Sequence, residues 1–193
     1  QEDFTGIDKV IACAKHMIAG GEPINGLNAA PMDVSLRTLQ EVHLKPYKQA
    51  IDAGVYSIMA AHNELNGIPC HMNTWLMTDL FRNKWNFEGF FVSDWKDIER
   101  IDDLHNVASN LKEASLFAVR AGMDMHMHGP KFPEAIIALV EEGVLPLERV
   151  NEACEKILTA KFKLGLFENR TVDLNAIKDK IFTSEHQKVA LEA

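Results

Sequence analysis

"GFFVSDW", Gly89 to Trp95, is the stretch whose reading decides the fold. Phe90, Phe91 and Val92 form a short unbroken apolar run, the pattern of a strand buried on both faces. The run passes without a turn into Ser93, Asp94 and Trp95. A strand of this kind carries a carboxylate out of the core and sets an indole beside it. In α/β folds the carboxyl ends of the strands are where chemistry is placed.

Three further runs repeat the design. "VIACAKH" (Val10–His16) ends on Lys15 and His16, and "VYSIMAAHN" (Val55–Asn63) ends on His62 and Asn63. "GMDMHMH" (Gly122–His128) carries Asp124, His126 and His128. Helical spacing follows each run. Ser35 is a good N-cap for an amphipathic helix that stops at Gly54. Asn73 caps a helix running to about Trp85, and another is expected from about Val107 to Arg120. A helix follows Pro133, and a longer one starts near Pro146, a residue suited to a first helical turn. The stretch "ELNGIPCHMN" reads as a turn-rich loop, and beyond Glu168 the pattern weakens into a polar, linker-like tail. Apolar strands alternating with helices predict a parallel sheet covered by helices. That is either an open doubly wound sheet or part of a (β/α)₈ barrel, because a complete barrel needs about 250 residues and eight strands.

The chain has 193 residues, 47% hydrophobic and 25% charged, with a net charge of −8. That acidity, without a Lys/Arg cluster, argues against a nucleic-acid partner. No apolar run is long enough to cross a bilayer, and no basic-then-apolar leader opens the chain. Because it begins on "QEDF" and stops on "VALEA", it reads as an excerpt of a longer protein. Cys13, Cys70 and Cys154 lack motif spacing and are expected to be buried free thiols.

The residues at the strand ends have two chemical readings. Lys15 and His16 can donate hydrogen bonds to hydroxyl groups. A carboxylate with an adjacent indole suits a sugar ring, supplying a nucleophile below the anomeric carbon and an apolar wall for the C–H face. Cations such as Lys15 and Arg100 would tune that carboxylate. The rival is a metal-dependent α/β hydrolase using His62, His126 and His128. An inactive carbohydrate-binding or structural fragment is a third possibility.

Four stretches together resemble the catalytic barrel domain of family 3 glycoside hydrolases, the β-glucosidase and β-xylosidase group. They are "CAKHMIAGG", the segment from "MDVSLRTLQEVHLKPYKQAIDAG" through "GFFVSDW", "AGMDMHMHG" and "RVNEACEKILTAKFKLGLFEN". They cover most of residues 9–169. The resemblance implies the C-terminal half of the barrel, about strands five to eight with their helices, over residues 1–169. Residues 170–193 would then be an interdomain linker or the start of the next domain. It implies retaining hydrolysis of terminal β-linked glucosyl or xylosyl residues through a covalent glycosyl-Asp intermediate, with Asp94 as nucleophile. Lys15 and His16 would bind hydroxyls of the non-reducing-side sugar, Trp95 would flank the nucleophile, and Arg100 would lie near the next sugar. No metal or organic cofactor is implied. The partners would be a β-glucoside or oligosaccharide and the missing parts of the parent chain.

The departures are specific. Many members carry Tyr where this chain has His62. The sugar-binding Asp and Arg of earlier strands have no counterpart. The D-x-H triplet that supplies the acid/base in the N-acetylglucosaminidase branch is absent from "AGGEPINGLNAAPMDVS". In the glucosidase-like branch a Glu of a following domain does that work. The compartment is unreadable here, although secretion or periplasmic placement is common in such families.

Overall fold

The computed structural model describes residues 4, 5 and 9–193; residues 1–3 and 6–8 of the expected first domain lie outside them. Three of the four expected runs are strands of one parallel sheet: β1 (Cys13–Met17), β2 (Ser57–Ala60) and, further along, β5 (Phe90–Val92), in the order β1-β2-β5. All four residues of central β2 are buried, as a strand covered on both faces requires. Edge strand β1 is largely exposed.

The fourth run is not a strand. Gly122–His128 lies beside β5 but shares a single parallel bridge with it, Val92 to Met125. Side chains take the bonds a ladder would use. The Phe91 N–H donates to Asp124 Oδ2 (2.9 Å), and the Met127 N–H donates to Ser93 Oγ (2.9 Å). Backbone pairing survives where Ser93 N donates to Met125 O and Met125 N to Phe91 O, at 2.8 and 2.9 Å. The run therefore keeps its place at the sheet edge through its polar side chains.

The "ELNGIPCHMN" loop contains an antiparallel hairpin, β3 (Glu64–Leu65) and β4 (Ile68–Pro69). Its turn is Asn66–Gly67, both at positive φ (50° and 83°). Asn-Gly is the pair that such a two-residue turn favours.

The helices follow their caps. Ser35 Oγ accepts from Thr38 N (3.1 Å), and the helical stretch runs through Leu36–Thr38, a π-helical turn at Leu39–His43, and Leu44–Asp52 before Gly54. Asn73 Oδ1 accepts from Leu76 N (3.0 Å) ahead of the π-helical segment Trp75–Lys84. The helix expected from Val107 starts at Leu111, after an Asn110 cap. Val107 and Ala108 both donate to the carbonyl of Ile101, which ties them to a short helix at Arg100–Asp103. Phe132–Glu141 has Pro133 in its first turn, whereas Pro146 is the N-cap of Leu147–Lys163 and not inside it.

The main core joins sheet to helices through fully buried Phe81, Phe91, Ile58, Leu76 and Met77. Phe91 meets the Phe87 ring at 5.0 Å and the Phe81 ring at 6.1 Å, which anchors β5 directly below Ser93 and Asp94. Of the three cysteines only Cys70 is buried, its thiol pushed up to about 12 by burial; Cys13 and Cys154 are exposed. The tail beyond Glu168 is described to its end. It holds short helices at Leu174–Ala176, Ile177–Lys180 and Ser184–Glu192. No described helix is long and apolar enough to cross a membrane.

Candidate active site

Asp94 stands immediately past β5 and is held from three sides. Its backbone N–H donates to His71 Nε2 (3.0 Å), and its Oδ1 accepts from the Trp95 N–H (2.6 Å). Its Oδ2 lies 3.4 Å from His16 Nε2 and 3.2 Å from His62 Nε2. The side chain is 12% exposed. The ends of β1, β2 and β5 thus converge on one carboxylate, with the rings of His16 and His62 stacked 6.4 Å apart.

His71 comes from the short turn Cys70–Met72 that follows the hairpin. It was not among the expected site residues. Burial holds its imidazole neutral, with a pKa lowered to about 3, and the cations of the cluster push the same way while a backbone bond to Ala61 opposes them. A neutral ring that accepts at Nε2 carries its proton on Nδ1, so it bonds Asp94 N and Ala61 at once. The unfolded chain binds a proton here below about pH 6.5 and the folded protein only below about 3. Stability due to this group is therefore present above pH 6.5 and is lost as the pH falls through that window, by up to about 1.4 kcal/mol per pH unit. Thermal denaturation of the full-length protein between pH 4 and 7 should show it, and His71→Gln should flatten the slope by about one proton. An unchanged slope would rule His71 out as its source.

His16 is also shifted down, first by burial and then by the adjacent Lys15 ammonium, with Asp94 pulling the other way. Its Nε2 faces the carboxylate, and its side chain is 43% exposed. The Lys15–His16 and Met17–Ile18 peptide bonds are cis. Lys15, His16, His62 and Asn63 border a hollow of about 700 Å³ whose far wall includes Gly20, Gly21 and Tyr47. Small-molecule sites commonly fall at about 300–1,000 Å³. Asp94 itself does not line this hollow, but His16 and His62, which both face its carboxylate, do.

Below His62 lies a residue that sequence reasoning missed. Asp97 Oδ2 is 2.6 Å from His62 Nδ1, and Asp97 Oδ1 accepts from Arg100 Nη1 (2.8 Å). Arg100 Nη1 is also 2.9 Å from His62 Nδ1. Arg100 is thus engaged inside the cluster, its side chain 32% exposed. Nothing in the strand pattern marked Asp97, because it sits in the turn after Trp95 and only the chain reversal brings it under His62.

Trp95 is half exposed, at 51%, and stacks on the His128 ring at 3.8 Å and 9°. His126 bonds Glu99 (3.2 Å) and stacks on Phe132. His126 and His128 therefore do not gather with His62. Among the described residues, the group close enough to share a cation is His62, Asp94 and Asp97. The Arg100 guanidinium lies against the same group, and His62 turns its two nitrogens toward different carboxylates. Asp124 also leaves the expected rim. Its fully buried carboxylate pairs with Arg82 and with Arg149 Nη2, the latter at 2.8 Å.

Residues 1–160 match the family described as "Glycosyl hydrolase family 3 N terminal domain". The chain belongs to glycosyl hydrolase family 3. A "Beta-xylosidase" of Formosa agariphila is 38% identical over 191 residues, 95% of this chain and 26% of its own length. The "Periplasmic beta-glucosidase" of Salmonella typhimurium is 30% identical over 194 residues, 95% of this chain and 25% of its own length. The crystal structure of a beta-glucosidase from Listeria innocua superposes with a TM-score of 0.89 at 34% identity, covering 96% of this chain and 26% of that one. The chain thus spans about a quarter of the length of the curated relatives it matches.

Proposed function

We propose that this chain supplies the nucleophile side of an active site that hydrolyses terminal β-linked glucosyl or xylosyl residues with retention. The observation that carries the reading is the Asp94 carboxylate, fixed by the Trp95 amide and faced by His16 and His62. Asp94 attacks the anomeric carbon, and the bond to the leaving oxygen breaks as an acid gives that oxygen a proton. Water then attacks the same carbon, its proton passing to the conjugate base, and the ester bond to Asp94 breaks with its electron pair returning to the carboxylate. Lys15 and His16 donate to sugar hydroxyls, and the exposed face of Trp95 flanks the ring or the leaving group.

The architecture under this reading is the second half of a (β/α)₈ barrel. Three parallel strands and the Met125 edge run support it, because their chemistry-bearing ends lie on one side. The other half-barrel and a following domain, entered through residues 170–193, would complete the pocket and bring the acid/base. A fluorosugar that traps retaining nucleophiles, applied to the full-length protein, should label the peptide holding Asp94. Labelling of a different carboxylate would move the role elsewhere.

A further inference from the structure

Asp97 is a charged group where packing asks for none. Its side chain is 1% exposed, and burial raises its pKa, with His62 and Arg100 working in the opposite direction. An apolar residue would fill the position without that desolvation cost. Its near partners are His62, Arg100 and, at 3.6 Å, His71 Nε2. His62 and His71 each lead directly to Asp94, one through its carboxylate and one through its amide. The carboxylate therefore serves the site and not the core.

The imidazole of His62 lies between two carboxylates, Asp97 on Nδ1 at 2.6 Å and Asp94 on Nε2 at 3.2 Å. A ring with its only proton on Nδ1 would turn a lone pair toward Asp94. A ring with its only proton on Nε2 would turn one toward Asp97. In that second form the Arg100 guanidinium, 2.9 Å from Nδ1, has a lone pair to donate to, and the proton on Nε2 faces Asp94. The other groups facing the ring are the Arg100 guanidinium and the His16 ring.

We propose that Asp97 is a positioning residue that acts through His62, fixing the ring so that its Nε2–H donates to the carboxylate of Asp94. The inference rests on the reading of Asp94 as nucleophile. In the first step this hydrogen bond aims the attacking carboxylate. In the second, as the ester carbon–oxygen bond breaks, it stabilises the charge returning to Asp94. His62 and Asp97 form a matched pair, so the donor depends on a residue three positions beyond the nucleophile.

The test is a double-mutant cycle in the full-length protein, read as kcat and KM on an aryl β-glucoside or β-xyloside. Asp97→Asn should lower kcat by about 10–100-fold, the range typical of partners that orient a reacting group's neighbour, with KM changing little. In a His62→Ala background the same substitution should change kcat by less than about 2-fold. Asp97→Ser, smaller and also neutral, must show the same dependence on His62 if Asp97→Asn does not fold. Equal losses in both backgrounds, or wild-type kcat in the single variants, would overturn the proposal. Failure of the nucleophile reading is separately visible as near-normal turnover in Asp94→Asn, where residues 62 and 97 are intact.

Discussion

Asp94→Asn in the full-length protein should reduce kcat on an aryl β-glycoside by on the order of 10⁴-fold or more while the fold survives. The magnitude follows from removing a covalent nucleophile, whose loss leaves only binding and the remaining polar groups to act. Asn has the same shape, and its carbonyl oxygen can still accept the Trp95 N–H that holds Asp94 Oδ1 at 2.6 Å. The backbone N–H bond to His71 is untouched. What disappears is the negative charge facing His16 and His62, and with it the attack on the anomeric carbon. Steady-state kinetics with a matched thermal melt checks both halves of the expectation. Turnover within about 10-fold of wild type would remove Asp94 from the role.

The second large effect falls on stability. Asp124→Ala should cost about 3–5 kcal/mol, because it removes the carboxylate paired with two largely buried guanidinium groups. Of the two, Arg149 keeps another acid nearby, Glu152 at 3.6 Å. The carboxylate is fully buried and joins Arg82, from the segment Trp75–Lys84, to Arg149, from the helix Leu147–Lys163. It also accepts the Phe91 N–H of β5. Arg82 further donates to the carbonyls of Phe87 and Gly89, at 3.1 and 3.0 Å, and its guanidinium lies 4.9 Å from the Phe91 ring centre. One aspartate thus links two helices to the strand that carries the nucleophile. Denaturation of the full-length protein should show the loss of stability, with turnover falling only as the folded fraction does. A melt unchanged from wild type would show that the network is replaceable by solvent.

Legibility in the sequence followed the range of each interaction. Buried strands and capped helices were readable because they rest on local periodicity and on hydrogen bonds spanning a few residues, as at Ser35 and Asn73. The Asn66–Gly67 hairpin was equally local, and its dipeptide was the available signal. Asp124 was misread as a rim residue because alternation along a strand presumes a regular ladder, and here two side chains replace ladder bonds. His71 and Asp97 were missed for a different reason. Both lie in turns, where no period predicts the direction of a side chain.

The sequence by itself determined the family, the parallel strand–helix pattern, and Lys15, His16, His62, Asp94 and Trp95 as the groups at the strand ends. Each of these depends on residue type and short-range order, which a linear chain displays. Only the tertiary structure decided that His62 is clamped between Asp94 and Asp97, that Arg100 turns inward, and that His128 covers one face of Trp95. Those contacts join residues from 3 to 38 positions apart, and desolvation and chain reversal, which set them, exist only once the chain has folded.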